Sequence, residues 1–175
     1  MKVLGIDPGS VHTGYGIVGK GPGGSLVRIC DGAISPGAGW TLAERLLKIS
    51  DGLCELMELH KPDAVSVESI FFAKNVKSAI TLGQARGAAL LSAARFGLPV
   101  FEYAPTAVKL AVTGYGQAAK EQVGKMVKLL LKDTESFKKA DASDALAIAI
   151  CHIHHCGHDG LVSGKKRLPA SSVPR

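Results

Sequence analysis

Four acidic residues stand where carboxylates could act together. Asp7 closes the apolar run Val3-Leu4-Gly5-Ile6-Asp7, just before the turn pair Pro8-Gly9, and Glu68 closes a second run, Asp63–Glu68. Asp141 and Asp144 lie three residues apart in Ala140-Asp141-Ala142-Ser143-Asp144-Ala145, a separation that puts both on one face of a helix, in its first turn. Each acid has a plainer reading when taken alone. Acids in a first turn favour the helix dipole, and an Asp before Pro-Gly is a common turn residue. Together they would repel one another and repel a phosphate. Such a cluster makes chemical sense only around cations, and hard oxygen ligands select Mg²⁺ or Mn²⁺. Two ions about 4 Å apart can activate a water and stabilise the leaving oxygen of a phosphodiester. The chemistry implied is metal-dependent phosphodiester hydrolysis.

The elements that must position these acids follow from periodicity. Residues 3–7, 14–18 and 26–35 read as strands, the last two joined by the Gly-rich stretch Gly19–Gly24. In the first strand Val3, Gly5 and Asp7 share a face; in Asp63–Glu68, Ala64, Ser66 and Glu68 do. Thr41-Leu42-Ala43-Glu44 has the form of a capping box. Leu42, Leu46, Ile49, Leu53 and Leu56 then mark the apolar face of a helix that ends at His60-Lys61-Pro62. Helical stretches follow at Ser78–Phe96, from Pro105 to about Val112, at Ala118–Leu131 and from about Ala140 to His155, with a strand at Pro99–Tyr103. This order predicts an α/β fold: an antiparallel meander at one side, with right-handed crossovers bringing later strands parallel to the first. If the strands bearing Asp7 and Glu68 are parallel neighbours, both carboxylates project from the carboxyl edge, where open α/β sheets place ligands. The last helix is apolar enough to pack on the sheet and carry Asp141 and Asp144 over the strand ends.

Composition sets the bounds. A chain of 175 residues with 46 % apolar and 21 % charged residues reads as one domain that buries a core without staples. Residues 1–156 are expected to form that domain and 157–175, rich in Gly, Lys, Ser and Pro, a flexible tail. The longest nearly uncharged run, around Ala79–Ala94, is interrupted by Gly83, Gln84, Arg86 and Gly87, so no membrane span is expected. Four cysteines without a Cys-x-x-Cys pair and an opening without signal-peptide anatomy point to the cytoplasm. The net charge of +6 permits an anionic partner without requiring one.

At this point the residues resemble the RuvC family, the Holliday-junction resolvases of bacteria. LGIDPGSVHTGYGIV resembles the family's first hairpin, and VESIFFAKNVKSAITLGQARGAAL its central segment. FEYAPTAVKLAVTGYGQAAKEQV and KADASDALAIAICH resemble its third and fourth blocks. The resemblance runs in family order from Lys2 to about His152, and gives the tail no role. It implies an RNase H-like mixed sheet flanked by helices, a homodimer, and Mg²⁺-dependent symmetric nicking of four-way DNA junctions in recombination and repair. Two Mg²⁺ ions per subunit are expected, with Mn²⁺ able to substitute, and the RuvA–RuvB branch-migration complex is an implied partner. Carried over by position, Asp7, Glu68, Asp141 and Asp144 are the catalytic and metal-binding carboxylates, the same four that spacing had gathered.

The resemblance also assigns DNA-facing residues. Phe71 falls at the position that inserts against unpaired bases, while its neighbour Phe72 reads as core. Lys120 follows Gly114-Tyr115-Gly116 in the first turn of a helix, where backbone amides and the dipole favour phosphate, and family position supports both it and Lys109. Lys74 and Lys77 are weaker candidates for backbone contact. Lys125, Lys128 and Lys132 read as a solvated face, and His12 as an exposed loop residue. The small residues of Gly83–Ala89 suit close helix packing or a nearby dimer contact. Cys151-His152-Ile153-His154-His155-Cys156-Gly157-His158 lacks paired zinc-ligand spacing, and its histidines complement a helix C-terminus. Three other functions stay open on the sequence alone. GIDPGS…TGYG also resembles the phosphate loop of actin-like and sugar-kinase-like ATPases, which generally need two such domains. A nuclease acting on structured RNA would use the same acids. A non-catalytic junction-binding module would not need them.

Overall fold

The computed structural model describes residues 1–69, 76–133 and 140–159, with side chains described as far as Cys156. A five-stranded mixed sheet forms its centre, in the order β3-β2-β1-β4-β5. Strands β1 (Lys2–Asp7), β2 (Thr13–Lys20) and β3 (Leu26–Ile34) make the antiparallel meander; β4 (Ala64–Glu68) runs parallel to β1 and β5 (Val100–Tyr103) parallel to β4. Helices α1 (Leu42–His60) and α2 (Val76–Arg95) cover one face, and α3 (Pro105–Thr113), α4 (Lys120–Leu131) and α5 (Ala140–Asp159) the other.

The predicted elements are all present, with ends shifted by a few residues. The capping box forms: Thr41 Oγ1 accepts from Glu44 N at 3.4 Å, and Glu44 accepts from Thr41 N at 2.7 Å. Helix α1 then stops at Lys61, whose φ of 47° is left-handed. Helix α5 runs to Asp159, so its last turn enters the stretch read from composition as a tail. Among the described residues no helix is long and apolar enough to cross a membrane.

The two faces of the sheet are built differently. Toward α1 and α2 the strands present Leu4, Ile6, Ile17, Val65 and Val67, all fully buried against Ile49, Leu53, Met57 and the alanines of α2. Toward α5 the cross-strand partners are Gly5↔Gly16 and Asp7↔Gly14, with Ser66 beside Gly5 on β4. The missing side chains let α5 lie almost on the sheet backbone. A Cβ at Gly5 would stand 2.0 Å from the Ala145 carbonyl oxygen, one at Gly14 2.2 Å from that of Asp141, and one at Gly16 2.7 Å from Leu146 Cγ. Ser66 Oγ donates to the Ile148 carbonyl at 3.3 Å, and Tyr103 on β5 bonds His152 at 2.8 Å. Thus α5 crosses the sheet diagonally, from β2 at its start to β5 near its end. Burial of Leu146, Ile148 and Ile150 holds it there, each contributing roughly 1.5–3 kcal/mol.

Candidate active site

Asp7 ends β1 and Glu68 ends the neighbouring parallel β4, so both side chains reach the carboxyl edge of the sheet from the face that α5 covers. The first turns of α5 bring the other two acids to them. One carboxylate oxygen each from Asp7, Asp141 and Asp144 lies within 4.8 Å of the other two. Among the described residues these three are the sole group of His, Cys, Asp or Glu close enough to hold one metal ion. Glu68 joins Asp7 and Asp144 in lining a cavity of about 230 Å³, closed by Pro105, Val108, Val123 and Ile148 and also bordered by Lys109 and Lys120. Asp7, Glu68 and Pro105 also border a second cleft of about 190 Å³, which leads past Pro8 to Leu82 and Arg86 on α2.

The electrostatics are those of crowded carboxylates. Burial, then the charges of Asp144, Glu68 and Asp141, push the Asp7 carboxyl up to about 7, against the opposing pull of Lys120. Burial and Asp144 raise Glu68 as well, opposed by Lys109 and Lys120. Lys120 Nζ donates to Asp144 Oδ2 at 2.6 Å, a bond that raises the lysine's own pKa. A buried carboxyl lifted this far is one the folded chain stabilises poorly without a further positive charge. All-oxygen donors with that deficit fit a hard divalent cation and offer nothing to a soft one.

A family model for the crossover junction endodeoxyribonuclease RuvC matches residues 3–152. The chain belongs to the RuvC family. RuvC of Geotalea uraniireducens is 50 % identical over 162 residues, spanning 93 % of this chain and 94 % of that protein. RuvC of Geobacter sulfurreducens is 54 % identical over 152 residues, 87 % of this chain and 92 % of the other. The fold agrees. Thermus thermophilus RuvC superposes with a TM-score of 0.84 at 35 % identity, over 91 % of this chain and 97 % of its own. The same protein in complex with a Holliday junction substrate also gives 0.84 at 35 %, over 89 % and 94 %. The yeast mitochondrial resolvase Ydc2, at 15 % identity and a TM-score of 0.60, shares the fold. That fold is RNase H-like.

With the RuvC frame in place, each residue singled out from the sequence can be located. Asp7, Glu68, Asp141, Asp144, Lys109 and Lys120 come together at one edge of the sheet. Phe71, Phe72 and Lys74 lie outside the described residues. His12 is exposed, its Nδ1 2.9 Å from Ser35 Oγ. Among the described residues, the Cys/His run of α5 forms no group close enough to hold one metal ion. Its groups meet partners in the fold and one another: the Cys151 thiol meets the Ala107 carbonyl and the His155 ring, His152 meets Tyr103 and Cys156, His154 the Ala111 carbonyl, and His155 the Cys151 carbonyl.

Three features were not read from the sequence. The glycine bed under α5 was signalled by Gly5 falling on the Asp7 face, and by Gly14 and Gly16 at period-two spacing. The Lys120–Asp144 bond joins elements whose mutual packing no local pattern reports. The same holds for Arg86, which pairs with Glu102 across α2 and β5 beside the second cleft.

Proposed function

We propose that this chain resolves four-way DNA junctions as a divalent-metal-dependent endodeoxyribonuclease, with Asp7, Glu68, Asp141 and Asp144 as its catalytic and metal-holding carboxylates. One observation carries the reading: in a chain of the RuvC family, acids from β1, β4 and α5 converge at one sheet edge, three of them within 4.8 Å. Mg²⁺ is the expected ion, two per subunit, with Mn²⁺ substituting. When bound, such ions supply a nucleophilic water and Lewis-acid stabilisation of phosphodiester oxygens. The chain's own contribution is to hold the acids in place, keep Asp7 able to release its proton to solvent near neutral pH and so present a carboxylate to a cation, and offset the repulsion of phosphate. Lys109 and Lys120, the two basic residues lining the cavity, serve that last role as DNA contacts. By family position Phe71 stacks on bases at the junction, and Lys74, close behind it in the chain, is a weaker candidate for contact with the DNA backbone. RuvC of Thermus thermophilus bound to a Holliday junction substrate supports the choice of DNA.

Symmetric nicking suits a C2 homodimer, and α2 offers a face for it. Val76, Ile80 and Leu91 are exposed along one stripe, with Gly83 and Gly87 between them opening onto free space, while Ala85, Ala89 and Ala93 pack inward. The RuvA–RuvB complex and a cytoplasmic setting follow from the family. A labelled synthetic four-way junction, incubated beside a linear duplex with Mg²⁺, Mn²⁺ or chelator, tests the reading. Symmetric nicks confined to the junction and dependent on metal are expected. Metal-independent cutting, equal cutting of the duplex, or binding without cleavage would overturn it.

A further inference from the structure

Lys120 occupies the first position of α4, the positive end of the helix, where a lysine is locally disfavoured. The helix start is held independently of it, because the Gln122 side chain accepts from Ala119 N at 2.8 Å. The Lys120 side chain is 61 % exposed, yet its ammonium lies 2.6 Å from Asp144, inside the carboxylate cluster. A side chain with that much freedom, set against its own helix dipole, is held there by the acids. Asp144 in turn is one of the three carboxylates grouped closely enough to share an ion.

We infer that Lys120 is a built-in counter-ion of the metal site: it neutralises Asp144 while the carboxylates are free of metal, and a divalent ion displaces it. The released ammonium, on a long flexible stem at the cavity rim, then becomes available to a phosphate of the DNA. Metal loading and substrate capture are thereby coupled through one side chain, and the coupling holds in both directions. This rests on the metal-site reading above, and it adds a sign that a DNA-contacting lysine alone would not have. Lys120 opposes metal binding in the absence of DNA.

Calorimetric titration of DNA-free protein with Mn²⁺ tests the sign in wild type, Lys120→Met and Lys120→Arg, with thermal melts confirming that each variant is folded. Lys120→Met is expected to bind Mn²⁺ roughly three- to tenfold tighter than wild type, the scale of a partly exposed ion pair given up on binding. Lys120→Arg should stay near wild type. Amine labelling read by mass spectrometry adds a second measurement, since Mn²⁺ should raise the acylation rate of Lys120 in wild type. Equal or weaker Mn²⁺ binding by folded Lys120→Met, or Lys120 labelling that does not rise with Mn²⁺, would overturn the counter-ion role and leave the metal site standing. Absence of Mn²⁺ binding in wild type and both variants would overturn the metal site itself, and the counter-ion with it.

Discussion

The two faces of the central sheet solve different problems with the same five strands. On the α1–α2 face, branched and long aliphatic side chains interlock, and a lost methylene is felt as a void. On the α5 face Val3 and Val18 are buried at one end, but Gly5, Gly14 and Gly16 stand beneath the first turns of α5, so that there helix backbone meets sheet backbone. The first arrangement makes the domain stable. The second gives up side-chain burial to fix a distance, that between the ends of β1 and β4 and the first turns of α5. Stability and site geometry are therefore separable, and mutations on the two faces should fail in different ways.

The sharpest contrast comes from Asp7→Asn. Cleavage of a four-way junction should fall roughly 10³-fold, the upper scale of losing one preorganised charge at the reacting centre, while the metal-free melting temperature holds or rises because a crowded charge is gone. A variant that cuts at the wild-type rate would remove Asp7 from the site. Gly14→Ala comes next. Its Cβ would meet the Asp141 carbonyl at 2.2 Å, so α5 must shift and carry Asp141 and Asp144 with it. Cleavage and Mn²⁺ affinity should drop by about 10²-fold, as for a misplacement near 1 Å, with roughly 1–3 kcal/mol lost in denaturant titration. Unchanged Mn²⁺ affinity would show that the bed does not set the site.

Leu53→Ala on the opposite face should invert that pattern. A fully buried leucine cut to alanine costs about 2–5 kcal/mol, yet the rate per folded molecule should match wild type well below the melting temperature. A smaller effect should appear in pH. The Asp7 carboxyl lies near 7 when folded and near 3.8 when not. The folded state therefore binds more protons between those values, and stability of the metal-free protein falls as pH rises from about 4 to 7. Melting scans in chelator should show this decline. Mg²⁺ should flatten it, and Asp7→Asn should lack Asp7's share of it; a rise over the same window would contradict the placement of Asp7.

The same contrast explains what could be read from the residues alone. Helix α1, with its Thr41–Glu44 box and 3.6-residue apolar rhythm, follows rules local in sequence, and so does strand alternation. The four carboxylates were legible because Asp7 and Glu68 mark strand ends and Asp141 and Asp144 share a helix face. The glycine bed depends on cross-strand register, Gly5 opposite Gly16 and Asp7 opposite Gly14, and on a helix far along the chain docking there. Lys120 gave a local clue in its disfavoured place at a helix start, but its partner Asp144 lies on another element. Tertiary docking decided both.

Helix α5 also has a consequence for synthesis. Asp7 and Glu68 leave the ribosome early, Asp141 and Asp144 only after the whole sheet has been translated. Until α5 emerges and settles across β2, β1, β4 and β5, a nascent chain has two isolated carboxylates and an uncovered row of glycines. A polypeptide broken off before residue 140 has the same deficit. The acidic cluster is thus completed only when α5 docks, the last of the elements that build it.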